Sequence, residues 1–224
     1  MKQKKYQKEK GLPNQIEGIS TEEMNVLLEL IKTHTCKIIC KDGKYATGCF
    51  CNIQYNWNST LKVLMTSNHV LDIDDIQQGQ YIIFTIDNDK EKYKILIDNT
   101  RKTYTNKSYD VTIIEIKKNE INEKSFFDLD EQIFLDNSSD IFINSQIFLL
   151  HYPKGKKMEI SPGIIQNISE DKGCKIIQHL CQTTGGSSGG PIINKKTFRV
   201  IGIHIGAPEE EEKAYNIGTL LKEL

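Results

Sequence analysis

The chain has 224 residues, 38% apolar and 26% charged, with a formal net charge of −1. That balance suits one soluble globular unit or two small ones, and gives no global field to draw nucleic acid or a membrane surface. No run of 18 apolar residues exists and no apolar stretch follows the basic start MKQKKYQKEKG, so neither a membrane span nor a secretory leader is expected.

An intracellular, cytoplasmic location is the expectation that follows. The six cysteines are Cys36, Cys40, Cys49, Cys51, Cys174 and Cys181. None forms the CxxC pairs of a zinc site, so they read as buried free thiols in a reducing compartment, and no metal or other cofactor is expected. Cys49 and Cys51 flank Phe50 and would share one face of a strand.

In chain order, residues 1–19 are polar, with five lysines in the first ten, and predict a disordered, solvated tail. Residues 20–33 predict a helix. Ser20 and Glu23 form an S-x-x-E capping box, and Met24, Leu27, Leu28 and Ile31 recur on one face. From Cys36 the period changes to that of strands. CKIICK, ATGCFCNI, LKVLMT, QYIIFTI, KYKILID and VTIIEI are short, apolar and separated by polar turns. The polar, acidic segment that follows, up to residue 140, reads as a connection. QIFLLHY, KKMEIS, GIIQNIS, CKIIQHL, PIIN, RVIGIHI and KAYNI then form a second strand group, and IGTLLKEL predicts a short terminal helix. The expected organisation is all-β: residues 1–33 as tail and helix, 34–120 as a first β-barrel, 121–140 as a link and 141–224 as a second barrel.

Three segments carry chemistry. TTGGSSGGPIIN at 183–194 offers a tight, glycine-permitted turn that presents the Ser188 hydroxyl beside backbone donors. The N–H groups of Gly186 and Ser188 would converge as an oxyanion hole, each donor worth about 3–4 kcal/mol to a transition state. LMTSNHVL at 64–71 puts His69 at the end of an apolar strand, where the scaffold is rigid. SYDVTIIEI at 108–116 puts Asp110 just before another such strand. A carboxylate there needs a partner, and an imidazole N–H supplies one while fixing the tautomer. Asp98 in LIDNT is a rival, set second because no apolar strand follows it.

His69, Asp110 and Ser188 stand in the His, Asp, Ser order of chymotrypsin-like serine proteases, which this chain resembles over roughly residues 36–217. The resemblance implies two six-stranded antiparallel Greek-key barrels, an acyl-enzyme mechanism with no cofactor, and a protein or peptide as the partner. TTGGSSGGP followed by VIGIHIG is similar to glutamyl endopeptidases and to viral relatives that cut after Gln. That likeness implies His204 and Thr183 as S1 residues, with a preference for Glu (or Gln or Asp) at P1. Ile205, Gly206 and Ala207 would pair with the substrate as an added strand. The HtrA proteases share GxSGGP but usually carry Asn where this chain has His204. Trypsins carry Asp where this chain has Ser187, so activity without insertion of a newly cut amino terminus is expected. The Glu run at 209–212 reads as a solvated loop that would oppose an acidic P1 residue if it overhung the pocket. A catalytically inactive, protease-like binding module is the alternative, and all three triad positions being filled argues against it. A monomer is favoured, with the oligomeric state left open.

Overall fold

A computed structural model describes residues 18–56, 59–121, 126–171, 173–208 and 214–223. The basic tail up to residue 17 and the Glu run at 209–212 lie outside them. Helix α1 (Thr21–Thr33) starts at the Ser20 cap with both capping-box bonds made: Glu23 N–H to Ser20 Oγ, 3.1 Å, and Ser20 N–H to Glu23 Oε2, 2.7 Å. Leu27 and Ile31 are buried, whereas Met24 and Leu28 are exposed. The docking stripe is narrower than the periodicity implied: Leu27 and Ile31 join the core shared by both halves, and Leu30 packs against it.

The first sheet contains β1 (Thr35–Ile39), β2 (Tyr45–Asn56), β3 (Ser59–Thr66), β4 (Tyr81–Ile86), β5 (Glu91–Leu96), β6 (Thr103–Asn106) and β7 (Val111–Glu115), in the order β5-β4-β1-β2-β3-β7-β6. A two-residue strand, β8 (Phe127–Asp128), pairs in parallel with β2. Alternation along the strands splits their side chains. Phe50 and Leu64 enter the core of this sheet, while Cys49, Cys51, Val63 and Met65 turn to the core shared with the second half. Strand β6, TYTN, escaped the sequence reading because all four residues are polar or aromatic and none is buried. It is held by its pairing with β7.

The segment read as a link carries β8, a 3-10 turn at Glu131–Phe134 and a short helix α2 (Ser138–Phe142). Beyond it, β9 (Gln146–His151), β10 (Glu159–Asp171), β11 (Cys174–His179), β12 (Pro191–Asn194), β13 (Val200–Gly206) and β14 (Asn216–Leu220) close into a barrel. Two expected strands, KKMEIS and GIIQNIS, prove to be one. Strand β10 runs through Pro162 and Gly163 and shifts register between Ile165 and Asn167, pairing first with β9 and then with β11. The terminal segment also departs from expectation. IGTLL is mostly strand β14, because its apolar residues close the barrel, and a single 3-10 turn at Leu221–Glu223 replaces the helix. A closed six-stranded barrel beside a half-barrel, both mainly antiparallel, is the chymotrypsin fold.

Candidate active site

Strands β3 and β7 are paired neighbours, with Thr66 opposite Thr112. The residues just past the end of β3 and just before β7 are therefore brought together. These are His69 and Asp110. Asp110 Oδ2 lies 2.7 Å from His69 Nδ1, and Oδ1 accepts the His69 backbone N–H at 2.8 Å. Both carboxylate oxygens thus hold one residue, which fixes the ring and leaves Nε2 as the outward nitrogen. Asp110 adopts a φ of 49°, a left-handed conformation that Asp tolerates better than most residues and that strained site residues often show. The turn carrying His69 is closed by the N–H groups of Val70 and Leu71 on Ser67 O. The rival Asp98 is occupied elsewhere: Lys117 Nζ bonds both its oxygens, at 2.9 and 2.6 Å, and Thr100 bonds it too.

Ser188 lies between β11 and β12 in a loop built from anchored peptide groups. Ser187 N–H bonds Thr184 O at 3.0 Å, closing a turn in which Gly186 takes a φ of 94°. Only glycine fits: a Cβ there would sit 2.4 Å from Tyr152 O. The carbonyl of Gly185 accepts from Lys154 N (2.6 Å) and that of Ser187 from Gly190 N (3.0 Å). In a planar trans peptide the N–H points opposite its carbonyl. The N–H groups of Gly186 and Ser188 are therefore turned away from those anchors, and neither has an acceptor among the described residues. A cleft of about 400 Å³ is lined by His69, Gly186 and Ser188 together with Tyr45, Lys41 and Asp75. No hydrogen bond joins the Ser188 hydroxyl to His69 among the described residues. Such bonds are often long without substrate and tighten when it binds. A larger hollow of about 630 Å³, lined by Ile53, Leu61, Ile113, Tyr55 and Tyr104 among others, holds no Ser, Cys or His side chain among the described residues.

The remaining predicted residues divide by depth. Thr183 is half-buried and lines a hollow with Gln182, Thr184, Asn216 and Glu159. Ile205 and Gly206 are half-buried and Ala207 is exposed. His204 is only 2% exposed, its Nδ1 3.2 Å from His179 Nε2. Its backbone braces the nucleophile loop, since His204 O accepts from Gly189 N and His204 N donates to Gly190 O, both at 2.8 Å. Burial, then the neighbouring His179 and His151, hold the His204 ring well below the usual imidazole range. Burial likewise lowers His151 to about 4. The sequence reading missed His151, whose Nδ1 is 2.7 Å from the Ser187 hydroxyl, itself accepting from Thr184 N. It also missed Thr47, which reaches the same loop from β2. Thr47 sits in ATGCF, a segment noted for its glycine, and His151 ends the apolar run IFLLH. A polar residue at a strand position whose neighbours are all buried was the available signal in both.

The fold and the His–Asp–Ser cleft define a chymotrypsin-like arrangement. The family model for trypsin-like peptidase domains matches residues 46–203, and the chain belongs to that family. Solved structures share the fold at low identity. One is the Rv3671c protease from M. tuberculosis H37Rv, at 14% identity and a TM-score of 0.63, covering 93% of this chain and 92% of that one. Another is a serine endoprotease from Yersinia pestis, at 12% identity and a TM-score of 0.61, covering 91% and 64%. The HtrA-type protease AlgW, solved with a tripeptide, shows 14% identity and a TM-score of 0.62, covering 89% and 60%. No curated protein sequence matches the chain. Among the described residues no helix is long and apolar enough to cross a membrane.

Proposed function

We propose that the chain is a serine endopeptidase with Ser188 as nucleophile, His69 as general base and acid, and Asp110 as the orienting carboxylate. The observation that carries this reading is the two-point hold of Asp110 on His69 beside Ser188 in one cleft. Ser188 Oγ attacks the scissile carbonyl carbon as its proton passes to His69 Nε2. The oxyanion accepts from the N–H groups of Gly186 and Ser188. The C–N bond breaks, His69 protonates the leaving amine, and an ester to Ser188 remains. Water then attacks that ester, giving its proton to His69, and Ser188 Oγ leaves with that proton restored. The resting His151–Ser187 bond supports activity without an inserted amino terminus, because the position that would receive one already has its partner.

For specificity we propose Glu or Gln at P1, with His204 and Thr183 toward the P1 side chain and Ile205–Ala207 pairing with the substrate backbone. A neutral imidazole donates one hydrogen bond without adding charge, which suits an amide and a carboxyl oxygen alike. The test is a peptide-library digest with the wild-type chain and Ser188→Ala. Wild type should cleave, and Ser188→Ala should lose at least ~10⁴-fold in rate with an unchanged melting temperature. Equal cleavage by both proteins would remove Ser188 from the mechanism. A wild type that neither cleaves nor reacts with a fluorophosphonate probe would favour a binding module instead.

A further inference from the structure

We infer that Thr47 is a positioning residue for the oxyanion donors, a role that rests on the protease reading above. Thr47 is fully buried in β2, in the half-barrel, yet its bonds reach both halves of the molecule. Its Oγ1 donates to Gly186 O at 2.8 Å and accepts from Tyr152 N at 3.0 Å. Its N–H donates to Ser188 O at 2.9 Å. Its carbonyl accepts from Thr66 Oγ1 at 2.8 Å, three residues before His69.

The geometry gives these bonds a shared consequence. Each oxyanion residue lies between two peptide planes. At Gly186 the plane before it is fixed by Lys154 N and the plane after it by Thr47 Oγ1. At Ser188 the plane before it is fixed by Gly190 N and the plane after it by Thr47 N. With both flanking planes fixed, the dihedrals of Gly186 and Ser188 are set, and so are the directions of their N–H groups. The same hydroxyl accepts from Tyr152 N, at the start of the turn that carries Lys154. One side chain therefore sets the spacing between the oxyanion loop and the turn that anchors its other face. The packing allows no slack: a Cβ on Gly189 would lie 2.0 Å from Thr47 O. Removing the hydroxyl leaves Gly186 O and Tyr152 N without their partner in a buried setting, and the loop shifts to find substitutes.

The experiment compares Thr47→Val, which keeps the shape and loses the hydroxyl, with Thr47→Ser, which keeps the hydroxyl. Peptide kinetics are measured alongside inhibition by a peptide aldehyde, whose hemiacetal oxygen occupies the oxyanion position. Thr47→Val should lower kcat about 10- to 100-fold, the effect expected of displacing a catalytic group by about 1 Å. KM should stay within about twofold, the aldehyde Ki should rise in step with the fall in kcat/KM, and Thr47→Ser should recover most of the loss. If Thr47→Val does not fold, Thr47→Cys, with a weaker donor in the same place, carries the comparison. A folded Thr47→Val with full kcat and unchanged aldehyde affinity overturns the inference alone, as does a loss confined to KM or to melting temperature. A wild type inert to both substrate and aldehyde overturns the protease reading as well.

Discussion

His204 illustrates how a residue's type can be legible while its setting is not. The GIH motif and its likeness to glutamate-selective proteases singled it out, and its backbone does bond the nucleophile loop at Gly189 and Gly190. Its 2% exposure and its contact with His179 come from barrel closure, which brings β13 and β11 to opposite sides of β14. That is a long-range event, and no local pattern announces it. The expected outcome for His204→Ala is a fall in kcat/KM for Glu- and Gln-P1 substrates of about tenfold or more relative to Leu-P1 substrates, the cost of one lost hydrogen bond to a charged or polar group. Parallel losses across all P1 residues, read from competing peptides in one digest, would remove the ring from P1 selection and assign it to packing against His179. The proposed triad was singled out by local signals: Ser188 by its glycine-rich turn, His69 and Asp110 by the apolar strands beside them. Thr47 and His151 were not, because their partners lie 139 and 36 residues away in sequence.

Elements were read best where local chemistry decides them. The Ser20 cap of α1 is a local device and its bonds are both present. Removing it by Ser20→Ala should cost about 1 kcal/mol. In a chain of this size that lowers the melting temperature by about 2–4 °C, with no change in kcat because α1 lies away from the cleft. A thermal melt followed by far-UV circular dichroism checks it, and a shift below 0.5 °C would mean that α1 is held by its Leu27 and Ile31 contacts alone. Strand β6 and the long β10 were misread for complementary reasons. A polar edge strand has no alternation to detect, and Pro162 with Gly163 imitates a break that pairing to β9 overrides. The split of the sheets into a half-barrel and a closed barrel lies beyond any local window, since it depends on which strands pair.

At the scale of the molecule, three histidines are packed neutral in the second barrel. Burial lowers His151 and His179 to about 4, and His204 lies well below its usual value. The unfolded chain binds protons at these rings near pH 6.5 and the folded chain does not. Stability is therefore full above about pH 6.5 and declines as pH falls toward 4, where the folded rings at last take up protons. Asp98, held low chiefly by Lys117, adds stability that is present above about pH 4 and lost as pH falls below it, a separate and lower window. Urea unfolding at pH 7 and pH 5 should give a lower midpoint at pH 5, and His179→Gln should reduce that difference. An equal midpoint at both pH values would contradict neutral packing of the rings.

The tethered carbonyls of Gly185 and Ser187 have a consequence for control. Turning either amide over would strand one tethered oxygen in the groove and break a bond on the far side, so the loop resists reversal. On the reading proposed above, the loop would hold its working posture before any substrate arrives. Control would then act by shielding the groove or sequestering what enters it, rather than by reshaping the loop itself.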